Sequence, residues 1–471
     1  MLVDVNLENI GDFHVNDFLG KDFRCICGRV HNVTIERIII GNGANKKIPQ
    51  LLRDFNYKKV YLMADSNTYA AAGEDVEKLL QEAGFACKKL VYVREGELVP
   101  DERAAGEFLL NFDRACDVIL AVGTGTINDL AKYMSNKLQV PYIVIATAPS
   151  MDGFASDGAA LIVDNVKISY PVANPRAIVG DVAVLKKAPM NMLLAGLGDM
   201  VGKYTALRDW KLARIIQDEY YCDVVVKLVE ASVKKCIDSA DGLAAREDAC
   251  IEKLMEGLVL TGIAMSFVGN SRPASGSEHH LSHFWEMMFL LAGKKAVLHG
   301  TKVGIATLVI NRLTELLVSR PPDWQAIDKK TAVFDSEKWK EKIAEVYQKA
   351  APGILRLCES SDRLSQTERL KRVAIIKANW GAITEALVEE PSAGVIESVL
   401  AKTGAPLSPF SVGIDGDMLL NSMLYGKEVR TRYTILQLLW DIGVLEEFAT
   451  AVHDYYSKPA KPVGDRVHAD G

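Results

Sequence analysis

Four of the eight histidines in this 471-residue chain lie within two short stretches, SGSEHHLSHFWE (275–286) and VLHGTKVGI (297–305). His279 and His283 are four residues apart and would share one face of a helix, whereas His280 would point about 100° away. Imidazole is a preferred ligand of borderline-soft divalent metals, and a catalytic metal site usually keeps three protein ligands and one open position. A single histidine would more often cap or pack, but four so close together favour a metal site, with His299 reaching it from a second segment.

A carboxylate could complete this site from the stretch AGLGDMVGKY, where Asp199 stands in an otherwise apolar helix that also contains Gly196 and Gly198. Burying an unpaired charge is costly, so the carboxylate needs a partner. We therefore predict Asp199, His279 and His299 as a candidate metal-binding set.

A second candidate site follows from the stretch LAVGTGTINDLAKY, where Gly123 and Gly125 stand between a predicted strand and a predicted helix. Open α/β sheets bind ligands at the carboxyl ends of their strands, and a helix N-terminus there favours a phosphate. Asp65 ends a neighbouring strand, where an acidic side chain can hold an adenosine ribose. A tight turn with capping residues explains the same pattern equally well.

The turn TAPSMDGFAS, which follows the next strand, adds polar groups to the same edge. Its candidates for contact with a dinucleotide are Thr147, Ser150 and Ser156, and Asp152 could reach into the cleft. The alternative is a helix start that is rich in capping residues.

The elements that must position these groups change character along the chain. Strand and helix patterns alternate from Lys58 to about Asp181, which predicts a parallel sheet covered on both faces. Further along, the periodicity is helical and strand signals are scarce. The predicted fold class is α/β followed by all-α, with domains at 1–187 and 188–456 and a disordered tail at 457–471.

Composition excludes several classes of protein. The net charge is −6, with 55 basic and 61 acidic side chains, so the basic surface of a nucleic-acid binder is not expected. The acidic N-terminus does not resemble a signal peptide, and no apolar run is long enough for a transmembrane helix. Sparse, irregularly spaced cysteines indicate reduced thiols, which predicts a cytoplasmic protein without a membrane partner.

Cys25, Cys27 and His31, in the stretch FRCICGRVH, are three potential ligands of a small zinc site. Their spacing is not the usual C-x₂-C, and no fourth ligand is evident in the sequence. The pattern alone therefore favours free thiols over a metal site.

Taken together, the motifs GTGTINDLAK, TAPSMDGFAS, AGLGDMVGKYTALRDW, SRPASGSEHHLSHFWE and LHGTKVGI resemble the iron-containing alcohol dehydrogenase and dehydroquinate synthase superfamily. Within it, they are most similar to the glycerol-1-phosphate dehydrogenases, including the bacterial AraM-type enzymes. The resemblance covers about residues 35–455. It implies a Rossmann-like N-terminal domain and a helical C-terminal domain, with a metal ion and a nicotinamide cofactor between them.

The resemblance also implies roles for individual residues. Asp199, His279 and His299 would be the metal ligands, with His283 and Asp152 against the substrate. Lys203 would offer a partner for a substrate phosphate or, alternatively, an i, i+4 partner for Asp199, and Arg272 is a second phosphate candidate. The residues that would hold NAD or NADP are Gly125, Thr126, Ile127, Asn128, Asp129, Thr147, Ser150 and Ser156.

The activity that this resemblance implies is reversible, metal-dependent reduction of dihydroxyacetone phosphate to glycerol 1-phosphate by NADH or NADPH. Zn²⁺ or Ni²⁺ would act as the Lewis acid, and His283 or a water molecule would deliver the proton. The alternatives are a polyol dehydrogenase with an unphosphorylated substrate, a cyclase of the dehydroquinate synthase type, and a dinucleotide sensor. By the same resemblance, a homodimer is expected.

Overall fold

The computed structural model describes residues 2–5, 7–8, 10, 13–163, 166–361, 364–389 and 391–458. Eleven strands lie in these residues: β1 (Leu2–Val5), β2 (Asp22–Cys25), β3 (Val30–Asn32), β4 (Arg37–Gly41), β5 (Lys59–Asp65), β6 (Ala86–Tyr92), β7 (Val118–Gly123), β8 (Tyr142–Ala146), β9 (Gly158–Val163), β10 (Val166–Pro171) and β11 (Ala177–Asp181).

The helices of the first half connect and cover these strands. They are α1 (Ile48–Asp54), α2 (Ser66–Thr68), α3 (Glu74–Glu82), α4 (Glu102–Asn111), α5 (Gly125–Leu138) and α6 (Val182–Leu185).

The second half is helical in the residues that the structure describes. Its helices are α7 (Met190–Gln217), α8 (Asp223–Ile237), α9 (Ala240–Ala244), α10 (Asp248–Val268), α11 (Ser277–Leu291), α12 (His299–Ser319), α13 (Trp324–Thr331), α14 (Ser336–Tyr347), α15 (Ala351–Glu359), α16 (Gln366–Ala378), α17 (Trp380–Val388), α18 (Ala393–Thr403), α19 (Gly416–Tyr425), α20 (Ile435–Asp441) and α21 (Leu445–Ser457).

Six parallel strands form the central sheet in the order β4-β11-β8-β7-β5-β6. Every residue of β7 and of β8 is buried, because helices cover both faces and the strands are continuous apolar runs. The predicted fold class, an α/β half followed by an all-α half, is confirmed. In the register of β7 with β8, Gly123 lies opposite Ala146, so the turns after both strands meet at one edge of the sheet.

Two features of the strands were not predicted. Residues 160–163 lie in β9, which pairs with β10 in a separate antiparallel hairpin outside the parallel sheet. Ahead of the central sheet, β1, β2 and β3 form a small sheet of their own. Phe18 and Phe23 of this N-terminal segment pack against Phe267 at the end of α10, with ring centroids 5.5 and 5.9 Å apart, so the segment lies on the helical half.

Glycines bring α7 and α12 into backbone contact. A Cβ atom on Gly300 would lie 1.8 Å from the carbonyl oxygen of Ala195, and one on Gly198 would lie 2.3 Å from that of Gly300. Only glycine permits such an approach. The crossing places Asp199 of α7 beside His299, the first residue of α12.

The last strand of the parallel sheet ends at Asp181, and α7 begins at Met190. The division into domains at residues 187 and 188 stays a prediction. Of the predicted disordered tail, residues 459–471 lie outside the described residues. Among the described helices, none has the length and apolar character that a membrane span requires.

Candidate active site

Three ligand atoms converge where α7, α11 and α12 meet. The Nε2 atoms of His279 and His299 are 3.2 Å apart, and His279 Nε2 is 3.9 Å from Asp199 Oδ1. One ligand atom from each of the three residues lies within 4.8 Å of the others. Two imidazoles and a carboxylate at this separation suit a divalent metal ion such as zinc or nickel.

Glu278, which the sequence analysis did not identify, sets the orientation of His279. Its Oε1 accepts a hydrogen bond of 2.6 Å from His279 Nδ1 and another of 2.8 Å from the Gly276 N–H. This assigns the proton of His279 to Nδ1 and leaves the Nε2 lone pair facing His299 and Asp199. Carboxylates commonly orient metal-binding histidines in this way. The sequence signal was an acidic residue directly before a predicted ligand.

Electrostatics keep the histidines in the form that binds metals. Burial, together with nearby positive charge, lowers the pKa of His279 and of His299 well below the usual value. For His283, burial lowers the pKa to about 3, opposed by Glu286. All three imidazoles are therefore neutral at physiological pH, which makes them competent ligands or hydrogen-bond partners.

Lys203 lies fully buried between the two aspartates of the site. Its Nζ is 2.6 Å from Asp152 Oδ2 and 2.7 Å from Asp199 Oδ1, and it also donates to the Ala274 carbonyl at 3.3 Å. The backbone N–H of Asp152 donates to Asp199 Oδ2 at 3.0 Å. Two hydrogen bonds and one ion pair inside the protein thus engage the ammonium. The alternative interpretation of Lys203, an i, i+4 partner for Asp199, is observed, and this geometry does not support the prediction that Lys203 binds a phosphate.

Arg272 is also engaged elsewhere. Its guanidinium makes a two-pronged ion pair with Glu219 and donates to the Tyr433 carbonyl at 3.0 Å. It therefore ties the loop before α11 to neighbouring segments, and the structure corrects its interpretation as a phosphate ligand.

Four basic side chains absent from the sequence predictions surround the histidines instead. The four are Lys167, Lys302, Arg430 and Arg432. The two arginines lower the pKa of His279, and the two lysines lower the pKa of His299. Glu286 is shared by Lys167 and Lys302, at 2.9 and 3.4 Å, and lies 3.7 Å from His283 Nδ1. Sequence reasoning missed these residues because three separate segments supply them.

His283 links this basic cluster to the metal site. Its Nε2 lies 3.2 Å from Arg430 Nη2, and its ring centroid is 6.0 Å from those of both His279 and His299. His283 therefore lies beside the predicted metal ligands, and its position against the substrate, which the resemblance implies, stays a prediction.

The polar turns after β7 and β8 meet at the carboxyl edge of the sheet. Thr124 Oγ1 and Ser150 Oγ are 2.6 Å apart, and the N–H of Thr147 donates to the Gly123 carbonyl at 3.2 Å. At Gly125 a Cβ atom would meet nothing closer than Met151, at 4.0 Å, so the first turn of α5 is open on that side. This is where a dinucleotide phosphate would bind at a helix N-terminus.

The other predicted cofactor residues have varied surroundings. Asn128 is fully buried, and its Oδ1 has no hydrogen-bond partner among the described residues. Ile127 packs beneath Gly123, because a Cβ atom added to Gly123 would lie 2.6 Å from the Cβ atom of Ile127. Thr126 and Asp129 are partly exposed on the first turns of α5, and burial raises the pKa of Asp129 to about 6. Asp65 caps α2, because its Oδ1 accepts from the N–H groups of two following residues.

Ser156 is bound by a buried lysine that the sequence analysis did not consider. Lys132 Nζ donates to the hydroxyl and to the carbonyl of Ser156, both at 2.9 Å, and also to the carbonyls of Gly153 and Gly158. The lysine thereby holds the loop that carries Asp152 against α5. In this arrangement the Ser156 hydroxyl faces Lys132, and its contact with a cofactor stays a prediction.

Comparisons with known proteins agree with this arrangement. Residues 39–189 match the family model described as iron-containing alcohol dehydrogenase. The chain is 35% identical to glycerol-1-phosphate dehydrogenase [NAD(P)+] from Geobacillus stearothermophilus over 90% of this chain and 97% of that protein. It is 41% identical to the protein of the same name from Halalkalibacterium halodurans, over 61% of this chain and 73% of that one.

The chain belongs to the glycerol-1-phosphate dehydrogenase family. Its fold is also that of the crystal structure of glycerol dehydrogenase from Schizosaccharomyces pombe, with a TM-score of 0.55 and 15% sequence identity over 91% of this chain and 93% of that one. Membership of the family confirms the resemblance drawn from the motifs. The roles of individual site residues stay predictions that rest on the geometry above.

Proposed function

We propose that this protein, like the relatives named above, catalyses the reversible NAD(P)H-dependent reduction of dihydroxyacetone phosphate to glycerol 1-phosphate. The observation that carries the proposal is the position of the basic cluster of Lys167, Lys302, Arg430 and Arg432, next to the Asp199–His279–His299 set. A metal-activated ketone and a phosphate group in one small substrate require these two features side by side.

The charge balance of the cluster favours an anionic group. Burial, together with the neighbouring charges of Arg430 and Arg272, lowers the pKa of Arg432 to about 9. Burial likewise lowers the pKa of Lys302 to about 8, with Lys167 adding repulsion and Glu286 opposing it. A phosphate dianion would relieve this repulsion through charge-assisted hydrogen bonds. We assign the substrate phosphate to this cluster in place of Lys203 and Arg272.

For the cofactor, we propose that the pyrophosphate of NAD(H) or NADP(H) lies against the start of α5. The open side of Gly125 and the unpartnered Oδ1 of Asn128 support this position. Asp65 lies at the end of β5, next to β7 in the sheet, where its charge would repel a 2′-phosphate and so favour NAD. The preference is tested by comparing the kcat/KM values of NADH and NADPH.

The residues of the chain would divide the work as follows. When bound by Asp199, His279 and His299, Zn²⁺ or Ni²⁺ would polarise the ketone oxygen while the reduced nicotinamide provides the hydride. Lys203 holds Asp152 and Asp199 in place, and Glu278 holds the tautomer of His279. His283 is neutral and its Nε2 contacts the Arg430 guanidinium, so in this arrangement that atom carries no proton, and the proton of the product would come from a water molecule.

The test is the Arg430→Gln variant, assayed with dihydroxyacetone phosphate and with dihydroxyacetone. Loss of a charge-assisted hydrogen bond of about 1.5–3 kcal/mol should lower kcat/KM for the phosphorylated ketone roughly 10- to 100-fold. The rate with dihydroxyacetone should change little. Arg320→Gln, at an exposed arginine paired with Glu447, is the matched control. An equal loss with both ketones would refute the phosphate assignment.

Wild-type enzyme distinguishes the alternatives. Faster turnover of dihydroxyacetone than of its phosphate would indicate a polyol dehydrogenase, and bound NAD without net NADH turnover would indicate a cyclase. Activity that EDTA abolishes and Zn²⁺ or Ni²⁺ restores would support the metal assignment and identify the ion. A homodimer belongs to the proposal through the resemblance alone, and light scattering in solution tests it.

A further inference from the structure

The structure brings together four side chains of metal-binding types, none of which belongs to the proposed active site. Cys25 ends β2, Cys27 lies in the turn that follows, and His31 lies in β3. The fourth is Cys222, the residue just before α8, which is 191 positions from His31 in sequence. The three sulfur atoms and one imidazole nitrogen all lie within 4.8 Å of one another.

The distances between these atoms are those of a tetrahedron around one ion. Zinc–sulfur bonds of about 2.3 Å and zinc–nitrogen bonds of about 2.0–2.1 Å give edges of about 3.8 Å between sulfurs and about 3.6 Å between sulfur and nitrogen. Cys25 Sγ and Cys222 Sγ are 3.6 Å apart. His31 Nε2 is 3.4 Å from Cys27 Sγ and 3.6 Å from Cys222 Sγ.

The surroundings orient each side chain as a ligand. His31 Nδ1 lies 3.0 Å from the Phe267 carbonyl, which places its proton on Nδ1 and leaves the Nε2 lone pair facing the sulfurs. Backbone N–H groups donate to each thiol: that of Cys27 to Cys25, that of Arg29 to Cys27, and that of Val225 to Cys222.

The local charge also fits a metal complex. Three thiolates and a neutral imidazole around a divalent ion carry a net charge of −1. The guanidinium of Arg29 lies over the ring of Tyr220, 3.4 Å from its centroid, and the hydroxyl of Tyr220 is 3.2 Å from Cys27 Sγ. A cation and a hydroxyl donor are therefore adjacent to the sulfurs.

We propose that Cys25, Cys27, His31 and Cys222 bind one Zn²⁺ ion as a structural site, separate from the Asp199–His279–His299 set. Four protein ligands leave no open position, which is the arrangement of structural zinc rather than catalytic zinc. The ion would join the small N-terminal sheet to the start of α8 in the helical half, and binding energy at such a site contributes directly to folding.

The test measures metal in full-length protein that carries His279→Ala, which removes one ligand of the active-site set. After dialysis against chelator-free buffer, this variant should retain about one equivalent of zinc per chain, because its four-ligand site is intact. Cobalt substitution of the same variant should give a thiolate-to-cobalt charge-transfer band and the intense visible bands of tetrahedral Co²⁺. The proposal is independent of the activity and fails separately from it.

Cys222→Ser in the same background should lose the ion and the charge-transfer band, while Cys250→Ser, at a buried cysteine outside the cluster, should keep both. If Cys222→Ser does not fold, an organomercurial added to the His279→Ala protein should still release about one zinc per chain as the thiols react. Absence of zinc from folded His279→Ala protein would overturn the proposal. A mass two hydrogens lower, from a Cys25–Cys222 disulfide, would overturn it as well.

Discussion

Replacing Lys203 with methionine removes the only charge that the described structure places between Asp152 and Asp199. The side chain keeps a similar length and an apolar stem, but both carboxylates lose an ion pair, of 2.6 and 2.7 Å respectively. Lys203 and Asp199 are fully buried. Breaking a buried ion pair by removing one partner costs about 3–5 kcal/mol, because the remaining charge is left uncompensated.

The loss of stability in the Lys203→Met variant should depend on whether a metal ion is bound. A divalent ion bound to Asp199, His279 and His299 would supply the positive charge that the variant lacks, so the loss of stability should be smaller in zinc than in EDTA. Burial and Asp152 already raise the pKa of Asp199 to about 6 with Lys203 present. Without Lys203 this pKa should rise further. In EDTA the variant should therefore lose less stability at acidic pH, where Asp199 becomes neutral.

The assay is urea unfolding of wild type and variant by circular dichroism, each in EDTA and in zinc. Midpoints are compared for each transition, since the chain has more than one hydrophobic core and two-state unfolding cannot be assumed. Lys295→Met, at a lysine whose side chain is 79% exposed, is the control. Equal losses with and without zinc would refute the charge argument. A rise in KM confined to dihydroxyacetone phosphate would restore Lys203 as its phosphate ligand.

Three further perturbations test the site. Glu278→Gln should weaken zinc binding about 10- to 100-fold by removing the charge that orients His279, measured by competition with a chromophoric chelator. Gly300→Ala should separate α7 from α12 and abolish metal binding by the Asp199–His279–His299 set, since its Cβ would lie 1.8 Å from the Ala195 carbonyl oxygen; the same zinc content as wild type would contradict this. Burial lowers the pKa of His283 to about 3 in the folded protein. Between pH 6.5 and about 3 the unfolded chain therefore binds a proton at His283 that the folded protein does not, and the free energy of unfolding decreases as the pH is lowered. His283→Gln should remove that dependence, up to about 1.4 kcal/mol per pH unit, as read from urea unfolding across this range.

Predictions that depend on local spacing succeeded. His279 and His283 share α11, His299 begins α12, and Asp199 lies in a long apolar helix, all as the sequence indicated. Glu278 could also have been found, because it adjoins a predicted ligand. For Lys203 the structure shows the alternative interpretation, an ion pair with Asp199, and for Arg272 it shows an ion pair with Glu219 in place of an open phosphate site. A basic side chain near a site has several possible partners, and neither Glu219 nor Asp152 is close in sequence to the arginine or lysine that it binds.

The sequence alone determined the alternation of strands and helices from Lys58 to about Asp181, the parallel sheet, the helical second half and the residue types of the proposed metal site. Those properties follow from periodic burial and from spacing within single elements, which a linear pattern records. Only the tertiary structure decided which distant groups meet. The glycine crossing of α7 and α12 joins Asp199 to His299, and the packing of the N-terminal sheet on the helical half carries Cys222 to Cys25, Cys27 and His31. Such meetings depend on how closely whole elements pack, and no local signal encodes that approach.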